Sequence, residues 1–138
     1  MSKKQELIDG LNEDLNLELE AVLRYLYHSA TATGLLGHEL RELLKADLTG
    51  ELDHALFLTD KIAALGGDPK ISPAMPKKCK NAKEMLEENL AGERRAVANY
   101  TQRVKQAEEF GDKGLVIRLE DILADETDHA EELERLGR

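Results

Sequence analysis

The chain writes "ELDHA" at 51–55 and "ETDHA" at 126–130, 75 residues apart. Much else coincides at that one offset. Leu11 falls on Leu86, Leu15 on Leu90, Glu18 on Glu93, Ala21 on Ala96, Val22 on Val97 and Tyr25 on Tyr100. Further on, Leu44 falls on Leu119, Leu48 on Leu123, Glu51 on Glu126, Asp53 on Asp128, His54 on His129 and Leu58 on Leu133. No insertion is needed. A repeat of this kind is one supersecondary unit used twice, each copy burying an apolar face that it cannot bury alone.

The unit is helical. Ile8, Leu11, Leu15, Glu18, Val22, Tyr25 and Ser29 are spaced alternately by three and four residues. Leu44, Asp47, Glu51, His54 and Leu58 keep the rhythm, as do Leu86, Leu90, Glu93, Val97, Tyr100 and Val104. Leu119, Ile122, Glu126, His129, Leu133 and Leu136 complete a fourth seam. Each seam is one face of an amphipathic helix. The spacing predicts helices over 3–33, 37–65, 81–110 and 112–136. Ser2-x-x-Gln5 reads as a capping box for the first. Gly34 and Gly37 mark a tight hairpin, and Asn81-x-x-Glu84 starts the third helix. The stretch 66–78 holds all three prolines and reads as a long connection. The expected layout is hairpin, crossover, hairpin: one all-α domain over 1–138, a four-helix bundle about a pseudo-twofold axis.

At this length a chain buries a core without covalent staples. Its net charge of −9 argues against nucleic acid as a partner and suits a protein that attracts cations. Cys79 is the only cysteine, which fits a reducing, cytoplasmic setting. No signal region and no long apolar run are visible, so no membrane is expected.

The seams contain residues that an apolar core should refuse. Glu51 and His54, three apart, project from one helical face, as do Glu126 and His129. Glu18 and Glu93 join them from the other two seams. Burying ionised carboxylates costs several kcal/mol each unless opposite charge compensates. No Lys or Arg occupies a matching seam position, whereas two divalent cations would balance four carboxylates. An oxygen-rich set with one imidazole per metal suits iron or manganese better than structural zinc. One Glu from each of two helices and Glu-x-x-His from the other two is a known pattern of di-iron and di-manganese bundles. A single Glu-x-x-His would be ordinary surface chemistry; two copies at a matched offset, each facing a seam Glu, are not.

The stretches "ELEAVLRYLYH" at 18–28, "ELDH" at 51–54, "GERRAVANY" at 92–100 and "ADETDH" at 124–129 resemble the bacterioferritins, within the ferritin-like superfamily. The resemblance covers essentially the whole chain. It implies a ferritin-like four-helix bundle in which Glu18, Glu51, His54, Glu93, Glu126 and His129 hold two iron ions. Glu51 and Glu126 would bridge them, and Tyr25 would be a catalytic tyrosine beside the site. It implies a ferroxidase that oxidises Fe²⁺ with O₂ or H₂O₂ for iron storage or detoxification, in a homo-oligomer built from antiparallel dimers. Two departures bear on this. Leu52 stands where bacterioferritins place a haem-ligating Met, so haem is not expected. The chain stops at Arg138 without the family's fifth helix, which favours twelve subunits over twenty-four. Two other readings fit the same residues: a rubrerythrin-like or manganese-catalase-like peroxide-removing enzyme, and a non-enzymatic interaction bundle stabilised by metal.

Other residues remain to be placed. Asp125 precedes Glu126 and is positioned to orient a ligand His; Gly50, its equivalent, cannot. Asp47 lies on the Glu51 seam and reads as a helper, although its mate is Ile122. Tyr100 fits a core tyrosine or a site residue equally. His28 and His38 lack seam partners and read as surface or interface residues. "MPKKCK" at 75–80 reads as a solvated loop.

Overall fold

The computed structural model describes residues 1–138 as four helices and no strand. α1 spans Lys3–Thr31, α2 Gly34–Ala64, α3 Ala82–Phe110 and α4 Lys113–Leu136. α1 packs against α2, α3 against α4, and α1 against α3 to close the bundle. This is the all-α, two-hairpin architecture expected from the repeat. None of the helices is long and apolar enough to cross a membrane.

The helix ends follow from local chemistry. Ser2 caps α1, its hydroxyl accepting the Gln5 N–H at 3.1 Å. The capping box is only half formed, because the Gln5 side chain donates to Asp9 Oδ1 instead of turning back. Asn81 caps α3 by accepting the Glu84 N–H at 3.0 Å, and Asp112 caps α4 through the Leu115 N–H. The first hairpin is tighter than expected. α1 ends at Thr31 and α2 begins at Gly34, not at 37. Gly34 has φ +82°, a conformation a side chain resists. Ala32 and Thr33 link the helices and Gly34 completes the turn, while Gly37, already inside α2, leaves room for the Ala32 carbonyl, which a Cβ would meet at 3.0 Å.

The crossover runs along α1 and is tied to it by three polar residues one turn apart. Asn12 donates to Asp68 O and accepts the Lys70 N–H. Asn16 donates to Lys70 O and accepts the Ser72 N–H. Glu20 accepts the Ala74 N–H at 3.2 Å. These side chains satisfy a backbone that forms no regular structure of its own.

The apolar interior is divided in two. One cluster holds Leu7, Leu11 and Leu15 of α1, Leu58 and Ile62 of α2, Ala96 and Tyr100 of α3 and Leu115 and Leu119 of α4. The other holds Ala21 and Tyr25, then Leu40 and Leu44, then Met85 and Leu86, and finally Leu133. On every helix the two clusters are separated by a buried Glu: Glu18, Glu51, Glu93 or Glu126. Each fully buried Leu contributes about 1.5–3 kcal/mol, so two dry ends hold a polar middle layer in place.

Candidate metal centre

The middle layer brings together all six residues expected as ligands. Glu18, Glu51, His54 and Glu126 form one group whose ligand atoms lie within 4.8 Å of one another. Glu51, Glu93, Glu126 and His129 form a second on the same criterion. The two groups share Glu51 and Glu126, the pair expected to bridge. Five of the six residues are buried and His129 is nearly so.

Both imidazoles turn Nδ1 inward. His54 Nδ1 lies 3.1 Å from Glu126 and 3.5 Å from Glu18. His129 Nδ1 lies 2.8 Å from Glu51 Oε1, 3.7 Å from Glu126 and 3.9 Å from Glu93. The outward nitrogens meet other carboxylates. His54 Nε2 is 2.9 Å from Asp125 Oδ2, so Asp125 orients His54 as expected. His129 Nε2 is 3.6 Å from Asp47 Oδ1, a charge contact longer than a hydrogen bond. Asp47 and Asp125 approach the two imidazoles from unrelated repeat positions. A proton held on His54 Nε2 by Asp125 would leave the Nδ1 lone pair free for a cation.

Tyr25 donates its hydroxyl to Glu93 Oε1. Tyr100 donates to Glu18 Oε1 at 2.7 Å. Each tyrosine holds a buried Glu of the opposite hairpin, so Tyr100 stands to Glu18 as Tyr25 stands to Glu93. Burial, then the negative charge of Glu93 for Tyr25 and of Glu18 for Tyr100, raises both phenols well above their ordinary range.

The carboxylates are not at rest without a cation. Burial, then repulsion from Glu18, holds Glu51 well above the usual range. Burial, then the bonding and charge of Glu126, pushes Glu93 up to about 10. Burial pushes Glu126 up to about 8 against the lowering pull of Glu93 and His54. Burial disfavours charge on His54, but Glu126, Glu18 and Asp125 outweigh it and raise the imidazole to about 11. Glu18 Oε2, both Glu51 oxygens, Glu93 Oε2, Glu126 Oε1 and both inward Nδ1 atoms have no hydrogen-bond partner. Seven orphaned donor atoms, converging from four helices, fit two oxygen-rich cation sites.

Two polar pairs flank this layer, and the sequence did not announce them. Asp14 accepts two bonds from the Arg103 guanidinium, at 2.7 and 3.0 Å. Asn89 Nδ2 lies 2.9 Å from His28 Nδ1. His28 was expected at the surface or an interface; it is buried, because Asn89 supplies the polar partner that its own helix lacks. His38 is exposed, as expected. The 75-residue offset could have shown both pairs, since it carries Asp14 onto Asn89 and His28 onto Arg103.

A bundle with this layer defines a class, and comparison with known proteins agrees. The family model of the ferritin-like domain matches residues 8–137. The chain belongs to that family. It is 30% identical to a bacterioferritin of Brucella melitensis over 135 residues, covering 97% of this chain and 84% of the relative. A crystal structure of a ferritin-like, diiron-carboxylate protein from Bacillus anthracis superposes with a TM-score of 0.95 at 40% identity, over the full length of both chains. A dodecameric thioferritin, the bacterioferritin-related protein of Bacteroides fragilis, shares the fold. Its TM-score is 0.87 at 23% identity, over 96% of this chain and 84% of that one.

Proposed function

We propose that this protein is a ferroxidase that oxidises Fe²⁺ at a carboxylate-bridged di-iron centre, in the service of iron storage or detoxification. The observation that carries the reading is the pair of four-residue groups sharing Glu51 and Glu126, with their donor atoms unsatisfied. Kinship with bacterioferritins and with a diiron-carboxylate protein supports iron as the metal.

Glu18 and His54 would hold one ion, Glu93 and His129 the other, with Glu51 and Glu126 between them. As substrate, two Fe²⁺ would each give up one electron and become Fe³⁺, which with two protons takes O₂ to H₂O₂ or H₂O₂ to two waters. The chain's own part is positional and electrostatic. Asp125 fixes the His54 imidazole by hydrogen bonding, and Asp47 lies beside the outward nitrogen of His129. Tyr25 and Tyr100 each fix one non-bridging carboxylate by hydrogen bonding. Glu51, Glu93 and Glu126 give up protons as cations arrive, so four carboxylates come to balance two divalent charges. A homo-oligomer built from dimers, twelve subunits in all, is the assembly we assign; the Bacteroides fragilis relative is dodecameric.

The test is anaerobic loading with Fe²⁺ followed by O₂ or H₂O₂, with consumption of the oxidant and formation of Fe³⁺ recorded together. Two Fe²⁺ per chain should oxidise in a fast phase that saturates. Absence of a fast phase would leave a metal-stabilised interaction bundle. Manganese in the purified protein together with sustained peroxide turnover would replace ferroxidase by peroxide removal.

A further inference from the structure

Arg24 is a buried cation without a counter-charge. It is 7% exposed, and its Nε has no hydrogen-bond partner. The other buried arginine, Arg103, is held by Asp14; Arg24 makes no ion pair. Its guanidinium lies across α3 at Gly92. A Cβ there would meet Nη2 at 2.1 Å and Cζ at 2.8 Å, so the group sits where only glycine leaves room. An unpaired buried charge is expensive and implies a partner.

The partner's place is beside it. Arg24 lines a cavity of about 170 Å³ between α1, α3 and the crossover, with Glu20, Lys77, Glu88 and Arg95. At about 30 Å³ per water, that is room for roughly five waters or one small oxyanion. Both carboxylates are already engaged. Glu88 pairs with Lys77 at 3.3 Å, and Glu20 accepts the Ala74 N–H. Lys77 and Glu88 balance each other, which leaves Arg24 and Arg95 against Glu20 and gives the lining one excess positive charge in a chain of net charge −9. A guanidinium fork presents parallel N–H donors that match the oxygens of phosphate or sulfate.

We propose that this cavity binds a small tetrahedral oxyanion of the phosphate class, held by Arg24 at its base with Arg95 and Lys77 at its rim. The site stands apart from the ligands of the metal centre and requires no iron.

Inorganic phosphate is the probe, titrated calorimetrically at low ionic strength into the full-length protein, before and after its metal is chelated. The expected result is one saturable phosphate per chain in both preparations, displaced by sulfate. Arg24→Met should weaken it about tenfold or more, the scale of a lost charge-assisted bond. Arg95→Gln, at an exposed position that cannot compromise folding, should weaken it about threefold, the scale of an exposed charge. Should Arg24→Met fail to fold, Gly92→Ala displaces the guanidinium while keeping it, and should weaken binding too. No saturable binding by the wild type overturns the proposal. So does binding that vanishes with the chelated metal, since that phosphate sits on iron. Wild-type affinity retained in both Arg95→Gln and either of the other variants also overturns it.

Discussion

Glu51 is fully buried, yet neither of its oxygens has a hydrogen-bond partner, although His129 Nδ1 approaches to 2.8 Å. Close approach without hydrogen-bond geometry is what two groups show when both aim at a shared cation. Glu51→Ala and Glu126→Ala should therefore abolish the fast phase of Fe²⁺ oxidation. The metal-free variants should stay folded, because each loses a carboxylate that repels its neighbours. Melting curves with and without divalent metal check this: wild type should gain stability on loading, and the variants should gain little. A variant oxidising Fe²⁺ at the wild-type rate removes that residue from the bridge. The six candidate ligands were legible in the sequence because each stands in a seam of mainly apolar residues, and the repeat pairs each with a mate. Arg24, Asp14 and Asn89 were not. They lie off the seams, and each is explained only by a group or cavity on another element, which periodicity along one helix does not encode.

At the scale of helices, α1 and α3 meet through one charged pair and one neutral pair on either side of the metal layer. Asp14 is raised to about 6 despite its guanidinium partner, because burial outweighs the attraction of Arg103. The pair is thus a costly way to join two helices. Removing Arg103 alone (Arg103→Met) should destabilise the bundle by about 3–5 kcal/mol, leaving Asp14 buried and uncompensated. The double change Asp14→Leu with Arg103→Met should recover most of the loss, since replacing a buried ion pair by apolar residues of similar volume is often neutral or gains about 1–4 kcal/mol. Denaturant titration of the two variants separates the outcomes; equal losses in both would mean the pair is a net stabiliser. Element type and order were plain in the sequence, because the 3,4 spacing runs unbroken through each helix. The ends were less plain. Gly37 resembles a breaker by composition, and only the positive φ of Gly34 shows where the turn is made. The course of the crossover was hidden too, since Asn12, Asn16 and Glu20 lie off the apolar seam of α1 and their spacing does not show which backbone they bind.

For the whole molecule, metal and proton compete for one layer. Glu93 rises from 4.5 to about 10, Glu126 from 4.5 to about 8 and His54 from 6.5 to about 11 on folding. The folded, metal-free state therefore holds protons that the unfolded chain releases. The stability from these groups is fully present below their unfolded values and is lost as pH rises through the folded ones. Metal-free protein should melt at progressively lower temperature from pH 6 to pH 9. Metal-loaded protein should lose less or gain over that range, because loading expels the same protons; parallel slopes for the two forms would contradict a buried carboxylate cluster. The outer faces make a separate prediction. Leu52, next to Glu51 on α2, points away from the metal layer and is 48% exposed, and Leu56, one turn on, is 57% exposed. On α1, Leu23, Leu26, Tyr27 and Ala30 line an apolar cavity with Met75 and Pro76. Apolar surface of this kind on both helices of one hairpin is expected to lie between subunits, and a twofold contact is the commonest way to close one. Leucine offers no atom that ligates iron, so Leu52 should pack against its counterpart without haem. Sedimentation of wild type should give a closed oligomer built from dimers, and Leu52→Asp with Leu56→Asp should shift it toward smaller species while Fe²⁺ still binds. A wild-type monomer would remove the cage and leave the metal centre standing, whereas a haem absorption band at one per dimer would show that another residue supplies the ligand Leu52 lacks.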